Sequence, residues 1–145
     1  MESSKYFTIF PLVLALKYHI MEPRLPLEDM ARSVFTAMNT RNFSELESCI
    51  TEDIAFDFPG SGRLEGSKRV IIFLKALLRK YPKLTFTVSE VLLDSQRACA
   101  VWTNEGKNTE GIPYANSGIT LIHFANNKIC FISDYFKDTS FVQTS

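Results

Sequence analysis

The stretch RVIIFLKALLRKYPKLTFTVSEVLL, residues 69–93, changes its hydrophobic period halfway along. In its first half the apolar side chains recur three and four residues apart, as in an amphipathic helix: Val70, Phe73, Leu74, Leu77, Leu78 and Tyr81. Pro82 cannot continue a helix, so the pattern predicts that the helix ends just before it. Residues 84–93 are then typical of a strand. The stretch therefore predicts a helix that leads directly into a sheet.

Three further strand-like runs follow, at residues 98–104, 117–124 and 128–136. The pair Asn126–Asn127 separates the last two runs and suits a tight hairpin turn. Residues 105–116, EGKNTEGIPYAN, have the composition of a longer loop. Four consecutive strands of this kind indicate an antiparallel meander after the helix.

The chain before residue 69 supplies helices and one more strand. Residues 27–38 carry apolar side chains at helical spacing, and a shorter helix is expected after residue 42. IAFDF, residues 54–58, alternates as a strand does, whereas PGSGRLEG, residues 59–66, has the composition of a loop. Helices that are separate from a run of hairpin strands indicate an α+β fold, with a curved antiparallel sheet wrapped over the helices.

The composition narrows the functional classes. The chain has 145 residues, the size of one domain, and we expect residues 26–145 to form that domain. Its 16 basic and 16 acidic side chains give a formal net charge of zero, which does not support nucleic-acid binding. Apolar residues make up 46% and aromatic residues 12%, enough to line a cavity as well as to fill a core.

No metal or cofactor site is predicted. The chain has only two histidines, His19 and His123, and no CxxC pair, so a metal site built from His and Cys is not expected. It also lacks a glycine-rich phosphate loop. The three cysteines, Cys49, Cys99 and Cys130, are odd in number and far apart, which argues against a disulfide framework. This usage predicts a reducing compartment, and hence a cytoplasmic protein.

Residues 1–25 are predicted to be an N-terminal extension. Residues 7–16 form an apolar stretch that is shorter than the ~20 residues a membrane-spanning helix needs. No small-residue cleavage site follows it, as a signal peptide would require. We therefore expect a segment that packs on the domain or a translated upstream extension, and no membrane partner.

Strand alternation predicts a pocket. Alternate side chains of a strand point to one face, which groups Phe56 with Phe58, Trp102 with Asn104, and Ile132 with Asp134. Large apolar groups with a few polar ones are the composition of a small-molecule site. The alternative is that the aromatic side chains only fill the core.

Asp134 stands out because it interrupts the apolar run of residues 129–136, and an ionised carboxylate is costly to bury. Desolvation raises the pKa of such a group, which would suit a general acid–base role. A purely structural role, in a turn or in an ion pair with an arginine such as Arg63, is equally open at this point.

Residues 27–136, which include AVWTNEG, GIPYANSGITLIHFANNKI and ISDYF, resemble the SnoaL-like polyketide cyclase group of the nuclear transport factor 2-like superfamily. The resemblance implies a cone, in which a curved antiparallel sheet and helices enclose one deep apolar cavity, commonly in a homodimer. The superfamily includes cyclases, ketosteroid isomerases, limonene-epoxide hydrolases and non-catalytic binding proteins. The fold alone therefore does not define a reaction.

The segment DYF, residues 134–136, is similar to the limonene-epoxide hydrolase segment whose aspartate helps to activate water. The arginine and second aspartate of that hydrolase would fall near Trp102 and Asn104. Its water-binding tyrosine and asparagine would fall at Phe56 and Phe58, which cannot hold a water molecule. We therefore do not expect this hydrolase activity.

The residues of ketosteroid isomerase are also replaced, because its base would fall at Phe58 and its oxyanion-hole tyrosine at Val34. What remains is Asp134 as the catalytic acid–base residue, with Asn104 as its possible hydrogen-bond partner. Asn104 or the indole of Trp102 would stabilise an enolate oxygen. The predicted ligand-binding residues are Val34, Phe56, Phe58, Phe73, Trp102, Asn104 and Ile132.

Two functional classes stay open. The first is an isomerase or cyclase that acts on an apolar carbonyl compound by general acid–base chemistry, without a cofactor. The second is a non-catalytic protein of the same fold that binds a small molecule or acts as a dimeric interaction partner. Val101, Phe131 and Tyr135 leave the outer face of the sheet apolar, which predicts a homodimer through that face.

Overall fold

The computed structural model describes residues 25–144, and their side chains as far as residue 142. The predicted extension, residues 1–25, lies outside this range except for Leu25, which packs against the core. The elements are α1 (Leu27–Thr40), α2 (Ser44–Cys49), β1 (Ile50–Phe58), β2 (Gly62–Glu65), α3 (Ser67–Lys80), β3 (Thr85–Asp94), β4 (Arg97–Lys107), β5 (Pro113–Ala125), β6 (Lys128–Phe136) and a final 3₁₀ helix (Ser140–Thr144). The α+β class is confirmed.

The six strands form one sheet in the order β2-β1-β6-β5-β4-β3. The meander β3 to β6 is antiparallel throughout, as predicted, but β1 runs parallel to β6, with Phe56 opposite Ile132. The sheet is therefore mixed. The reason is that β1 and β6 are far apart in sequence, so no hairpin sets their relative direction, and β1 fills the edge that the meander leaves free.

The segment predicted as a loop at residues 59–66 contains the edge strand β2. It forms a hairpin with β1 in which Asp57 lies opposite Arg63. The longer loop predicted at residues 105–116 is also shorter than expected, because β4 and β5 pair as far as Lys107 and Pro113. In both places the hydrogen bonds to the neighbouring strand favour an extended conformation, although the local composition is typical of a turn.

The curvature of the sheet has identifiable causes. The register shifts by one residue at Ser89 on β3, and again at Cys130 on β6, opposite His123 and Phe124. Such bulges bend the strand that carries them and increase its twist. The bent sheet lies over the helices, with α1 against β3 and β4 and α3 against β1 and β2.

Helix α1 is attached to the edge strand β3 by one side chain. The Asn39 amide donates to the carbonyl oxygen of Phe86 at 2.9 Å and accepts from its backbone N–H at 2.7 Å. An edge strand otherwise exposes such groups to other chains. The arrangement fixes the helix over the sheet and so sets the depth of the space between them.

Cys49, Cys99 and Cys130 are all free thiols. Among residues 25–144, no helix is long and apolar enough to cross a membrane.

Candidate functional site

A cavity lies between the helices and the inner face of the sheet. Its volume is about 50 Å³, measured as the space open to the centre of a water molecule. A water molecule needs roughly 10–15 Å³ on this measure, so the cavity holds only a few. Its wall is largely apolar, with contributions from α1, α3 and the strands β1, β4, β5 and β6.

Six of the eight residues predicted for the site line this cavity: Val34, Phe56, Phe58, Asn104, Ile132 and Asp134. Phe73 and Trp102 do not line the cavity; they pack behind residues that do. The ring of Phe73 packs against those of Phe56 and Phe58, with centroids 5.8 and 5.0 Å apart. The structure thus brings most of the predicted set together, while their roles in binding stay a prediction.

Trp102 is buried, with 1% of its surface exposed, and reaches the site indirectly. It lies opposite Gly118 in the register of β4 and β5. A Cβ atom at Gly118 would be 2.9 Å from Cζ2 of the indole, so the missing side chain makes room for the ring. From there the indole N–H donates to Thr120 Oγ1 at 2.8 Å.

Thr120 connects Trp102 to Asp134. Its hydroxyl donates to Asp134 Oδ1 at 2.6 Å. The direction of this chain is determined, because an indole N–H can only donate, which leaves the hydroxyl proton for the carboxylate. The indole is therefore committed to Thr120, and the prediction that Trp102 donates to an enolate oxygen is wrong.

Asp134 is partly buried, and burial raises its pKa to about 7, although the hydrogen bond from Thr120 opposes that rise. The ion pair with Arg63 that was considered from the sequence does not form. Both ends of the Arg63 guanidinium bind Asp57, at 2.8 Å each. Within residues 25–144, no lysine, arginine or histidine forms a salt bridge with Asp134.

Asn104 is not the partner of Asp134. It lies opposite Asn116 on β5, four residues from Thr120. That separation is roughly 13 Å along a strand at about 3.3 Å per residue. The sequence correctly indicated that both residues face one side of the sheet, but not that they occupy different ends of the cavity.

Thr120 is the functional candidate that the sequence analysis missed. If β5 and β6 paired without interruption from the Asn126–Asn127 turn, Asp134 would lie opposite Ile119. The extra residue Cys130 on β6, opposite His123 and Phe124, shifts the register by one, so that Thr120 takes that place. A polar residue next to Ile119 in an apolar strand was the available signal, but the strand period alone cannot place it.

The C-terminal 3₁₀ helix closes one side of the cavity. Phe141 lines the cavity and packs against Phe136, with ring centroids 5.1 Å apart. It also contacts Phe58 at 6.3 Å and Tyr114 at 6.2 Å. Because the enclosed space is small, a ligand larger than a few water molecules requires part of this wall to move.

Residues 31–132 match the family model described as a SnoaL-like domain. The chain belongs to this family. No functionally curated protein matches the chain. The fold of this SnoaL-like domain is shared by solved structures at low sequence identity.

An NTF2-like protein from Anabaena variabilis is 20% identical, with a TM-score of 0.70 over 77% of this chain and 87% of that one. A protein with a cystatin-like fold from Xanthomonas campestris is 20% identical, with a TM-score of 0.72 over 80% and 94%. A putative SnoaL-like polyketide cyclase from Jannaschia sp. CCS1 is 14% identical, with a TM-score of 0.70 over 80% and 91%. These likenesses confirm the α+β cone.

In the part of the SnoaL-like domain that the structure describes, no group of three or more His, Cys, Asp and Glu side chains is placed to hold a metal ion. The polar residues that line the cavity include Asp134 and Thr120 at one end, and Asn104, Tyr114 and Tyr81, whose ring lies 5.0 Å from that of Tyr114, towards the other.

Proposed function

We propose that this SnoaL-like domain binds an apolar carbonyl compound in the cavity and catalyses its isomerisation or cyclisation, with Asp134 as the general acid–base residue. The observation that carries this proposal is a cavity-lining carboxyl whose pKa burial raises to about 7. A group with a pKa near the operating pH both accepts and returns a proton efficiently. Apolar walls supply the binding energy for a carbon skeleton.

The proposed chemistry needs one proton transfer in each direction. Ionised Asp134 takes a proton from the carbon next to the carbonyl group, and the electron pair of that C–H bond moves to form an enolate. In an isomerisation, Asp134 returns the proton to a different carbon. In a cyclisation, the enolate carbon forms a bond to a second carbonyl of the same molecule, and the proton ends on the oxygen of that carbonyl.

Thr120 supports the ionised state of Asp134, because its hydroxyl donates at 2.6 Å and lowers the pKa of the carboxyl. Without a nearby cation, burial alone would disfavour the carboxylate more strongly. The balance of these two effects leaves both protonation states populated near neutral pH. This is the property that an acid–base residue needs and that an ion-paired structural carboxylate lacks.

The experiment is hydrogen–deuterium exchange at the α-carbon of methyl ketones and cyclic ketones, followed by NMR in deuterated buffer. We expect the wild-type protein to accelerate exchange and Asp134→Asn to reduce that acceleration by about 10²–10⁴-fold. Asp57→Asn, which alters the partly exposed carboxylate bound to Arg63, is the matched control and should leave exchange unchanged. Equal exchange by the wild type and Asp134→Asn would contradict the proposed role.

The second functional class, a dimeric interaction protein, is favoured by the outer face of the sheet. Ile119 and Tyr135 lie opposite each other there and are 38% and 55% exposed. Val101 lies on the other side of Ile119 in the register. We propose a homodimer through this face, since an isologous pair covers such a patch with a second copy of itself.

A further inference from the structure

The cavity has a second polar end, formed by Asn104 and Tyr114, which both line it. Asn104 lies opposite Asn116, and Tyr114 is two residues from Asn116 along β5, which makes it a diagonal neighbour of Asn104. Phe136 lies opposite Gly118, midway between this end and the Thr120–Asp134 end. The cavity therefore offers two polar ends with an aromatic wall between them.

The Asn104 amide oxygen is buried without a donor. Asn104 is 5% exposed, and its Oδ1 accepts no hydrogen bond from any residue between 25 and 144. Other asparagines of the domain are satisfied, since Asn39 Oδ1 accepts from Phe86 N–H and Asn116 Oδ1 from Ser117 N–H. A buried acceptor without a partner is costly and uncommon in native structures. Its cost is removed if a ligand supplies the donor.

Tyr114 offers the complementary group. Its hydroxyl oxygen accepts from Asn116 Nδ2 at 3.1 Å, which leaves the hydroxyl proton available to an acceptor. Asn116 is itself held by the backbone of Asp138. The Asn116 Nδ2 donates to the Asp138 carbonyl oxygen at 2.8 Å, and the Asn116 Oδ1 accepts from the Asp138 N–H at 3.2 Å. Burial raises the pKa of Tyr114, so the hydroxyl keeps its proton at neutral pH.

We propose that Asn104 and Tyr114 bind a hydroxyl group of the ligand at the end remote from Asp134. The ligand O–H would donate to Asn104 Oδ1, and the ligand oxygen would accept from the Tyr114 hydroxyl. A ketone oxygen could satisfy only Tyr114, because it has no proton to donate. This inference rests on the proposed function and narrows its substrate class to elongated apolar carbonyl compounds with a hydroxyl group at the far end.

The test compares two series of probes of graded length, from octanone to dodecanone: methyl ketones, and the same ketones with a terminal hydroxyl. Binding is measured by isothermal titration calorimetry with the wild type, Asn104→Leu and Tyr114→Phe. Thr103→Val, a change at an exposed neighbour on β4, is the control. We expect the wild type and the control to prefer a hydroxy ketone by about tenfold or more at the best length.

Asn104→Leu should abolish this preference while it keeps the affinity for the plain ketones, and Tyr114→Phe should reduce the preference. Asn104→Leu should also melt at the same temperature as the wild type or higher, because it removes an unpaired buried acceptor. A wild type without preference, a preference that survives Asn104→Leu, or a lower melting temperature of that variant would each overturn the inference.

The failure of this inference is distinguishable from failure of the proposed reaction. α-Proton exchange that depends on Asp134, without a preference for the hydroxyl, contradicts the second polar end alone. A preference that depends on Asn104, without any exchange that depends on Asp134, supports the hydroxyl site and contradicts the catalytic role. If no ketone of either series binds, both the substrate class and the hydroxyl site are wrong.

Discussion

Thr120 lies directly opposite Asp134 in the antiparallel pair of β5 and β6, and its hydroxyl donates to the carboxyl of Asp134 at 2.6 Å. The same hydroxyl accepts from the indole of Trp102 at 2.8 Å. The ionisation of one carboxyl at the cavity wall is thereby coupled to the single tryptophan of the chain. This coupling makes the candidate site accessible to measurement before any substrate is known.

The first prediction concerns the pH dependence of stability. The pKa of Asp134 is about 7 in the folded protein and has an ordinary value of 3.8. The native state therefore binds more protons than the unfolded state between these values, and the free energy of unfolding falls as pH rises through this window. A shift of this size corresponds to about 4 kcal/mol. Urea unfolding of the wild type at a series of pH values measures the fall.

Asp134→Asn should remove this pH dependence, because the amide does not ionise and its oxygen can still accept from Thr120. The variant should match the wild type near pH 4 and be more stable above pH 7. A structural ion pair predicts the opposite sign, with a loss of about 3–5 kcal/mol when one partner's charge is removed. Lower stability of the variant at pH 8 would place Asp134 among the structural residues.

The second prediction uses the fluorescence of Trp102. Ionisation of Asp134 changes the charge beyond the hydroxyl to which the indole donates, so the emission should titrate with a midpoint near pH 7. The titration should be absent in Asp134→Asn. It should persist in His123→Gln. This variant is the control, because histidine is the side-chain type whose ordinary pKa lies near neutral pH. A midpoint that follows the histidine would contradict the assignment.

The third prediction concerns Thr120→Val, which keeps the shape of the side chain and removes its hydroxyl. Trp102 loses its acceptor and Asp134 its donor, and we expect a loss of about 1–3 kcal/mol of stability, measured by urea unfolding. The midpoint of the fall in stability with pH should also move above that of the wild type, because the hydrogen bond from Thr120 lowers the pKa of Asp134. Thr120→Ser keeps the hydroxyl and should retain the wild-type midpoint.

The fourth prediction concerns ligand entry past Phe141. Phe141→Ala removes the ring that packs on Phe136, and should speed the association of dodecanone by roughly tenfold, equivalent to ~1.4 kcal/mol of barrier. Stopped-flow measurement of Trp102 emission follows the binding. Leu92→Ala, at an exposed position of β3, is the control. An unchanged association rate would mean that ligands enter by another route.

The fifth prediction concerns the homodimer. Ile119→Lys places a charge in the centre of the exposed apolar face, between Val101 and Tyr135. We expect a dimeric mass for the wild type in light scattering at micromolar concentration, and a monomeric mass for the variant. Ile72→Lys changes an equally apolar but separate site on α3, where the side chain is 64% exposed, and should leave the dimer intact. A monomeric wild type would contradict the proposal directly.

The sequence by itself determined those features that depend on neighbouring residues. The helical stripe that begins at Val70 and the stop at Pro82 predicted α3, which the structure places at Ser67–Lys80. Alternation predicted the strands and their inward residues, and the cost of burying a charge identified Asp134 as unusual. These inferences succeed because helix period, strand period and proline geometry are local properties of the chain.

Only the tertiary structure decided which of these residues meet. The parallel pairing of β1 with β6, the distance between Asn104 and Asp134, and the pairing of Arg63 with Asp57 all depend on contacts between strands that are remote in sequence. Thr120 shows the reason most clearly. The extra residue Cys130 on β6 brings Asp134 opposite Thr120 instead of Ile119, and a shift of one residue reverses the face of every side chain beyond it. Register is set by hydrogen bonds between strands, which the hydrophobic period of one strand does not encode.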